Sequence, residues 1–314
     1  MQKNEKQDSE KIPFVHSFAF EYGKADQVAP GIVRIIANNP GPFTYTGSGT
    51  YLVQSSAGTG KFAVIDPGPD DSDHINAICE FAGPDQISHI FVTHTHRDHC
   101  GGARLLADKT GAKIYAYGGH PAHPSGEEAP ALEEGADTQF EPDIILSPNQ
   151  IVSADGWEIE AVWTPGHISN HLCFGLADRQ ILFTGDHIMG WATTVIIPPD
   201  GSISDYFQSL DILLTRNDKL YLPTHGAPIE NPHRFVRAVR THRRMRDAQI
   251  MQQLKDGKTK ISDIVATIYA DVDKRLHVAA SLNVLAHLIG LVEAGRVTCE
   301  AKPSLHANYA IVSA

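Results

Sequence analysis

The segment Phe91-Val-Thr-His94-Thr-His96-Arg-Asp98-His99-Cys-Gly-Gly102 holds three histidines and one aspartate within six residues. The apolar run at residues 87–92 predicts a β-strand, and a helical pattern begins at the paired glycines. Because side chains alternate along an extended chain, a loop at the end of this strand can turn His94 and His96 toward one cation. Asp98 and His99 then project toward a second. Zinc accepts imidazole nitrogen and carboxylate oxygen as ligands, so the segment predicts a two-metal site.

A lone histidine in a surface loop is more often solvated than bound to a metal. The full pattern, His-x-His-x-Asp-His followed by two glycines, is instead typical of the metallo-β-lactamase superfamily, which this sequence resembles. The resemblance implies an α/β fold in which two sheets are sandwiched between helical layers (αββα). It also implies that further metal ligands follow other strands.

Three later segments resemble the elements that complete the metal site in this superfamily. Each closes an apolar run that predicts a strand. They are Trp163-Thr-Pro-Gly-His167, Phe183-Thr-Gly-Asp186 and Leu222-Pro-Thr-His225. Thr224 stands where the family often has glycine, a departure that leaves the ligand His225 in place.

The resemblance divides seven ligands between two ions. They are His94, His96 and His167 for the first ion, Asp98, His99 and His225 for the second, and Asp186 as the bridge. We expect two zinc ions per chain, and the same ligands also accept Mn²⁺ or Fe²⁺. The implied chemistry is attack on an ester, thioester or phosphodiester by a hydroxide shared between the ions. Asp98, which would orient that hydroxide, and the bridging Asp186 are the implied catalytic residues.

Three more side chains are candidates for supporting the site or contacting the substrate. Asp66, in Ile65-Asp-Pro-Gly68, resembles a family turn whose aspartate supports the site from behind, and an ordinary turn-forming aspartate fits the same sequence. His171 follows His167 by four residues, and His187 follows Asp186 directly. Each of these two histidines can contact substrate, orient a ligand or pack in the core.

Short apolar runs separated by turn residues continue through the first two thirds of the chain, and helical patterns lie between several of them. This alternation predicts a layered α/β catalytic domain over residues 1–230. The Pro-rich, acidic stretch 118–142 has little periodicity, so we expect a long surface loop that can overhang the site.

Residues 231–314 predict a second unit that resembles a winged helix. Asn231 and Pro232 favour the start of a basic helix that ends at about Leu254, since Asn can cap free amides and Pro tolerates the first helical position. Ser262 is expected to cap a second helix. Residues 276–293 predict a third helix, and residues 297–301 with 309–313 predict a hairpin.

Charge is divided unevenly between these two units. The chain of 314 residues has a net charge of −11, and residues 232–314 carry 13 Lys or Arg against 7 Asp or Glu, which leaves −17 for the rest. No apolar run approaches the roughly 20 residues of a membrane span, and the charged amino-terminal segment lacks the apolar stretch of a secretory signal. We therefore expect a cytoplasmic protein without a membrane partner.

The four cysteines favour neither a disulfide framework nor a thiolate zinc site. Cys79, Cys100, Cys173 and Cys299 are scattered and have no CxxC spacing. We expect most of them to behave as small buried apolar residues.

Segments near both ends resemble one subset of the superfamily. Asn39-Pro-Gly-Pro42 and Gly49-Thr-Tyr-Leu-Val53, together with His277-Val-Ala-Ala280, are similar to the β-lactamase-like protein 2 subset, which carries a C-terminal winged helix and whose human member is an endoribonuclease. Antibiotic hydrolysis is disfavoured because Asp186 occupies a place where several zinc β-lactamases have cysteine or serine.

Three functions stay open. A small-molecule ester or thioester is one substrate class and single-stranded RNA is another. Arginines of the basic helix would suit a phosphate backbone, although a solvated face or pairing with the acidic catalytic domain explains them equally; they are Arg234, Arg237, Arg240, Arg243, Arg244 and Arg246. The charge of the catalytic domain would repel a polyanion. The third function, a nucleic-acid-binding winged-helix regulator with a vestigial hydrolase domain, is disfavoured by seven intact ligands.

Overall fold

Two β-sheets face each other at the centre of the molecule. The computed structural model describes residues 11–121, 135–154, 156–270 and 277–312. The first sheet has its strands side by side in sequence order: β1 (Ala25–Ala29), β2 (Ile32–Ile36), β3 (Gly49–Gln54), β4 (Phe62–Ile65), β5 (Ile87–Phe91), β6 (Lys113–Ala116) and β7 (Ile144–Ile145). The second sheet is also in sequence order: β8 (Ile151–Ala154), β9 (Trp157–Trp163), β10 (Leu172–Leu176), β11 (Ile181–Gly185) and β12 (Leu220–Pro223).

Helices cover the outer faces of both sheets. The first sheet packs against α1 (Ser72–Ala82), α2 (Arg97–Cys100) and α3 (Ala103–Thr110). The second sheet packs against α4 (Ile203–Thr215) and the first half of α5 (Pro232–Lys255). A third apolar layer, which includes Tyr51, Phe91, Phe174 and Phe183, fills the space between the sheets. The predicted αββα sandwich is confirmed.

Strand β3 explains why the central strands lack polar alternation. Leu52 packs toward the helices, whereas Tyr51 and Val53 pack between the sheets. Successive side chains of a strand point to opposite faces, so a strand covered on both sides is apolar at every position. The run Gly49-Thr-Tyr-Leu-Val53 therefore fits a buried strand.

The sequence patterns missed β1, β2, β7 and β8, although they predicted the edge strand β12. β1 and β8 mix exposed and half-buried positions, and β7 has only two residues. In β2 the apolar run is interrupted by Arg34, which is buried and donates from Nη1 to the carbonyl of Gly226 at 3.0 Å. A charged residue inside an apolar run weakens the pattern of a buried strand. The hydrogen-bond partner of Arg34 lies far along the chain, so the neighbouring sequence does not show that this charge is buried.

Two expected helix starts differ in detail from the structure. Asn231 does precede α5, but its side chain makes no capping hydrogen bond, and Pro232 at the first helical position accounts for the start. The expected cap at Ser262 is wrong, because α6 (Ile261–Ile268) already contains that residue and follows Lys260.

The C-terminal unit has its own apolar core. It contains α6, α7 (His277–Glu293) and a hairpin of β13 (Val297–Cys299) and β14 (Tyr309–Ile311). Helix α5 is shared, because Phe235 and Val236 pack on the second sheet whereas Ile250 and Leu254 pack in the C-terminal core. The domain boundary after residue 230 stays a prediction. The expected first residue of the third helix, Leu276, lies outside the described residues.

The long loop expected over residues 118–142 is described in part, because residues 122–134 lie outside the described ranges. Its returning end contacts the segment that carries His94, His96 and Asp98. The amide of Arg97 donates to the carbonyl of Gly135 at 3.1 Å, and the amide of Asp137 donates to the carbonyl of Thr95 at 2.7 Å.

Two further expectations concern the cysteines and the membrane. The four cysteines are free thiols, and Cys100 and Cys173 are buried while Cys79 and Cys299 are partly exposed. Within the described ranges, none of the helices is long and apolar enough to cross a membrane. The cytoplasmic location stays a prediction.

Candidate metal centre

The segments that carry the expected ligands follow strands ending at one edge of the sandwich. β11 is parallel to β12, and β9 points the same way because both are antiparallel to β10. Two backbone hydrogen bonds join the sheets here, from the amide of Leu172 to the carbonyl of Thr93 at 2.8 Å and from the amide of Gly49 to the carbonyl of Thr224 at 2.9 Å. The loops after β5, β9, β11 and β12 therefore meet.

His94, His96, His167 and Asp186 form one cluster, in which one potential ligand atom from each residue lies within 4.8 Å of the others. His94 Nε2 lies 3.0 Å from His96 Nδ1, and His167 Nε2 lies 3.1 Å from that same atom. These three ring nitrogens surround a common point.

Asp98, His99 and His225 form the second cluster. Asp98 Oδ2 lies 3.1 Å from His225 Nε2 and 3.4 Å from His99 Nε2. Ser48 fixes this carboxylate by donating its hydroxyl to the same oxygen at 3.2 Å. The side chains of the second cluster are buried.

Asp186 belongs to the first cluster and also reaches the second. Its Oδ1 is 3.4 Å from both His99 Nε2 and His225 Nε2, whereas its Oδ2 is 3.8 Å from His167 Nε2. The structure thus brings all seven expected ligands together, with one carboxylate reaching both groups. Their division between two ions stays a prediction.

Hydrogen bonds on the outer side of the rings set which nitrogen carries the proton. His167 Nδ1 lies 2.7 Å from the carbonyl of Val195, and His225 Nδ1 lies 3.2 Å from the carbonyl of Gly47. A carbonyl only accepts, so Nδ1 donates in both residues and the Nε2 lone pair faces the cluster. This is the orientation that a metal ligand requires.

Asp66 holds the second cluster from behind. Its Oδ1 accepts from the amide of Thr93, and its Oδ2 accepts from the hydroxyls of Thr93 and Thr224, each at 2.8 Å. His99 Nδ1 donates to the same Oδ2 at 2.8 Å, which leaves His99 Nε2 facing the cluster. Thr224, a departure from the family's glycine, therefore has a partner. The contacts favour the supporting role for Asp66 over that of an ordinary turn residue.

His171 is placed to position Asp186. Its Nε2 accepts from the amide of Asp186 at 3.2 Å, and its Nδ1 pairs with the Thr164 hydroxyl at 2.9 Å. Both nitrogens thus have protein partners. His187 is fully buried with its ring 4.6 Å from that of Tyr206, which fits a packing role.

Burial keeps two histidines of the first cluster neutral. Burial lowers the pKa of His94 well below its ordinary value, and the nearby His99 and His96 lower it further. Burial and then His167 lower the pKa of His96 to about 3. Both rings are therefore neutral at physiological pH, and their lone pairs are available to a metal.

In the second cluster, carboxylates and imidazoles shift the pKa of one another. Burial raises the pKa of Asp98, but His99 and His225 outweigh this and lower it to about 2. Burial also opposes ionisation of Asp186, yet His225 and His99 hold its pKa well below the ordinary value. Burial lowers the pKa of His99 and of His225, but the carboxylates outweigh it and raise both. The carboxylates therefore make this a site for positive charge.

The donor set fits divalent metal ions. Buried lone pairs and carboxylate oxygens converge here, and neither His99 Nε2 nor Asp186 Oδ1 has a hydrogen-bond partner among the described residues. A buried polar atom without a partner is costly. Neutral imidazoles and ionised carboxylates are suitable ligands for zinc and related ions.

A cavity of about 250 Å³ lies beside the clusters. His167 and Asp186 line it on the metal side, and Tyr269 and Asn283 line it from the C-terminal unit. Most of the other lining side chains are apolar, and they include Phe43, Met189, Trp191, Val195 and Ala280. The C-terminal unit therefore forms part of the wall beside the two clusters.

The basic helix α5 does not present all of its arginines to solvent. The expectation of a phosphate-binding surface is wrong for Arg243, which is 1% exposed. Arg240 pairs through Nε with Asp211 of α4 at 2.9 Å, which agrees with the alternative that this helix pairs with the acidic catalytic unit. Arg246 lies over the ring of Tyr269, 4.3 Å from its centre. Arg237 and Arg244 are exposed.

Sequence reasoning missed the aromatic residues that line the cavity. Trp191 stacks on Tyr45 with ring centres 4.7 Å apart, and both lie outside the metal motifs. Tyr269 directly follows α6. Aromatic residues in a short loop or after a helix carry no periodic signal, so only their contacts reveal them.

Comparisons with known proteins agree with this geometry. The model of the Metallo-beta-lactamase superfamily matches residues 46–225, and that of the Beta-lactamase associated winged helix domain matches residues 261–302. A Beta-lactamase-like protein 2 homolog from Caenorhabditis elegans is 31% identical, covering 87% of this chain and 88% of its own. An Atrochrysone carboxyl ACP thioesterase from Aspergillus fumigatus is 30% identical, covering 74% and 68%.

A solved structure shares the fold over nearly the whole chain. It is a Beta-lactamase domain protein from Burkholderia ambifaria, 18% identical, with a TM-score of 0.75 and coverage of 98% of this chain and 99% of that one.

Proposed function

Because the chain belongs to the metallo-beta-lactamase superfamily, we propose that it is a metal-dependent hydrolase of carboxylic esters or thioesters. The observation that carries the proposal is the convergence of seven imidazole and carboxylate side chains beside an apolar cavity. Bound divalent ions would supply Lewis-acid polarisation of the substrate carbonyl and a water whose pKa is lowered toward neutrality.

The proposed ligands divide as the two clusters do, except that Asp186 is shared. His94, His96 and His167 would hold one ion, Asp98, His99 and His225 the other, and Asp186 would bridge them. We propose two zinc ions per chain, with Mn²⁺ or Fe²⁺ as alternatives, since these ligands accept each of them.

The chain's own groups orient the reactants. The pKa of Asp98 is about 2, so it is a carboxylate at neutral pH and can accept a hydrogen bond from an attacking water. Ser48 holds that carboxylate, and His171 holds the main chain of Asp186. Fixed geometry of this kind favours catalysis because the groups need not reorganise during the reaction.

The cavity favours a small acyl substrate over a polynucleotide. Its volume of about 250 Å³ is near the lower end of ligand pockets, which commonly occupy about 300–1,000 Å³. The apolar side chains that form most of the wall gain from burying a hydrocarbon group. A thioesterase named among the relatives is consistent with this substrate class.

Cleavage of single-stranded RNA is the second candidate. Arg237 and Arg244 are exposed and lie seven residues apart on α5, so they share a face that a phosphate backbone could contact. The burial of Arg243 and the pairing of Arg240 reduce the charge available to RNA. A regulator with a vestigial hydrolase domain is disfavoured, because the ligand clusters are complete.

We also propose a division of labour between residues 1–230 and 231–314. Every proposed ligand lies in the first unit. The second unit contributes Tyr269 and Asn283 to the cavity wall, so its expected effect is on substrate choice.

The test is a hydrolysis panel on zinc-loaded protein: acyl thioesters, alkyl esters, a lactone, a chromogenic phosphodiester and single-stranded RNA. We expect thioester or ester hydrolysis, with His94→Ala losing activity and bound metal together. His306→Ala, an exposed histidine of the C-terminal unit, is the matched control and should behave as wild type.

Two outcomes would contradict the proposal. One is inactivity toward every thioester and ester in protein that retains metal. The other is selective RNA cleavage that weakens steeply between about 50 and 200 mM salt, which is the signature of phosphate contacts. The second outcome would establish the RNA candidate instead.

A further inference from the structure

The C-terminal unit contributes two polar side chains to an otherwise mainly apolar cavity. Tyr269 follows α6, and Asn283 lies on α7. Phe43, Met189 and Trp191 line other parts of the wall. An oxygen atom of a bound acyl group would lose its water here, so it needs a protein donor to offset that loss.

Arg243 determines which side-chain group of Asn283, the amide oxygen or the NH₂ group, remains free to bind a ligand. Its Nη1 donates to Asn283 Oδ1 at 3.1 Å, and its Nη2 donates to the carbonyl of Thr194. A guanidinium has donors and no acceptor, so the amide oxygen of Asn283 must face it. The NH₂ group of Asn283 is left to donate elsewhere.

Tyr269 supplies a second hydrogen-bond donor beside the NH₂ group of Asn283. Asn283 Nδ2 makes a long hydrogen bond of 3.5 Å to the Tyr269 hydroxyl. The hydroxyl oxygen accepts in this contact, so its own proton can be donated to a third group. The amide has a second N–H as well. The wall formed by these two residues is thus a source of donors.

Two guanidinium groups make this wall electropositive. Arg243 is 1% exposed and lies 5.3 Å from the ring centre of Tyr206. Arg246 lies 4.3 Å from the ring centre of Tyr269. Positive charge behind a pair of donors favours an oxygen that accepts hydrogen bonds, and it disfavours a second donor or a cation.

We infer that Asn283 and Tyr269 recognise a hydrogen-bond-accepting oxygen on the acyl group of the substrate. The substrate class is then a thioester or ester with an apolar acyl group that bears a carbonyl oxygen away from the scissile bond. Arg243 is a positioning residue, because it acts by fixing the amide of Asn283. The inference rests on the proposed function, which places the scissile bond at the metal clusters.

Matched thioesters of one thiol test the inference. Each pair has acyl chains of equal length, one plain and one with a keto oxygen, and the keto position is moved along the chain. We expect wild type to prefer the keto substrate by about tenfold in kcat/KM at the best position, as for one buried hydrogen bond. A ratio near one at every position would overturn the inference while leaving hydrolysis itself intact.

Asn283→Asp and Tyr269→Phe are the informative variants. Asn283→Asp keeps an oxygen for Arg243 and removes the NH₂ donor, so the fold keeps the contact while the cavity loses the donor. Tyr269→Phe removes only the hydroxyl. We expect each variant to reduce the ratio of keto to plain kcat/KM. Asn76→Asp, which adds the same charge on the exposed face of α1, should keep the wild-type ratio. Equal losses on both substrates in the cavity variants would overturn the inference.

A binding measurement separates this inference from the proposed function. Trp191 lines the cavity, so tryptophan fluorescence can report the binding of non-hydrolysable thioether analogues to metal-free protein. We expect tighter binding of the keto analogue by about tenfold and loss of that preference in Asn283→Asp. This preference without thioester hydrolysis would reject the proposed function alone. Hydrolysis without the preference would reject the inference alone.

Discussion

Replacing Asp66 with asparagine tests whether this buried carboxylate keeps His99 in the form that a metal requires. Three donors meet at Asp66 Oδ2, namely the hydroxyls of Thr93 and Thr224 and His99 Nδ1, each at 2.8 Å. A fourth donor, the amide of Thr93, meets Oδ1 at 2.8 Å. Asparagine offers one accepting oxygen and one NH₂ group that cannot accept. The NH₂ group of the asparagine, itself a donor, therefore faces groups that donate to Asp66 in the wild type.

Either orientation of the asparagine has a cost. If the NH₂ group replaces Oδ2, the hydroxyls can rotate to accept, but His99 Nδ1 can accept only by moving its proton to Nε2, the atom that faces the cluster. If the oxygen replaces Oδ2, the amide of Thr93 loses its buried acceptor. The negative charge that supports His99 is lost in both cases.

The expected magnitude follows from these contacts. Loss of an outer partner of a ligand commonly weakens metal affinity by about 10–100-fold, which corresponds to roughly 1.4–2.8 kcal/mol. We expect a loss of this size at the site of Asp98, His99 and His225. The free energy of unfolding of the metal-free protein should fall by about 1–3 kcal/mol, the cost of one unsatisfied buried group.

Zinc affinity can be measured by competition with a chromophoric chelator, and stability by urea unfolding of metal-free protein. Thr224→Val is the matched control, because it removes one hydrogen bond to Asp66 and leaves the carboxylate and its bond to His99. We expect the control to weaken zinc binding by less than about tenfold. Wild-type affinity at both metal sites in a folded Asp66→Asn protein would refute this reasoning.

Four other outcomes are expected. Elemental analysis should find about two divalent metals per chain, and a chain that binds none after zinc reconstitution would contradict the ligand assignment. Asp186→Ala should lose more activity and more metal than His171→Ala, because Asp186 reaches both clusters whereas His171 acts only by accepting from the amide of Asp186. Equal loss of activity with full metal in both variants would argue against the bridging role of Asp186. Arg243→Glu should lower the free energy of unfolding by about 3 kcal/mol or more, since it reverses a buried charge. Arg244→Glu, at an exposed position, should change that free energy by less than about 0.5 kcal/mol. Similar unfolding curves for the two variants would show that Arg243 is not buried in solution. Burial lowers the pKa of His74 from 6.5 to about 4, so the unfolded chain takes up a proton that the folded protein excludes. Up to about 3 kcal/mol of stability that is present above pH 6.5 is therefore lost as the pH falls toward 4. The free energy of unfolding of metal-free His74→Gln should depend less steeply on pH in this range, and an unchanged slope would contradict this prediction.

The amino-acid sequence, with the family resemblance that it carries, identified the seven side chains that the structure brings together and most of the sandwich. His94, His96, Asp98 and His99 lie within six consecutive residues, so their spacing is visible without knowledge of the fold. The central strands, such as β3, are buried on both faces and therefore appear as uninterrupted apolar runs. The edge strands β1 and β8 were missed because a half-exposed strand lacks that signal.

Only the tertiary structure decided what the supporting residues do. Asp66 and Thr224 are 158 residues apart and share a hydrogen bond, and Arg243 lies 40 residues from Asn283. No local pattern encodes such a pair, so an aspartate in a turn and an arginine in a basic helix have several possible roles until the chain folds. Arg243 shows the physical reason: in the sequence it belongs to a row of surface charges, whereas the packing of α5 on α4 and α7 buries it beside the cavity.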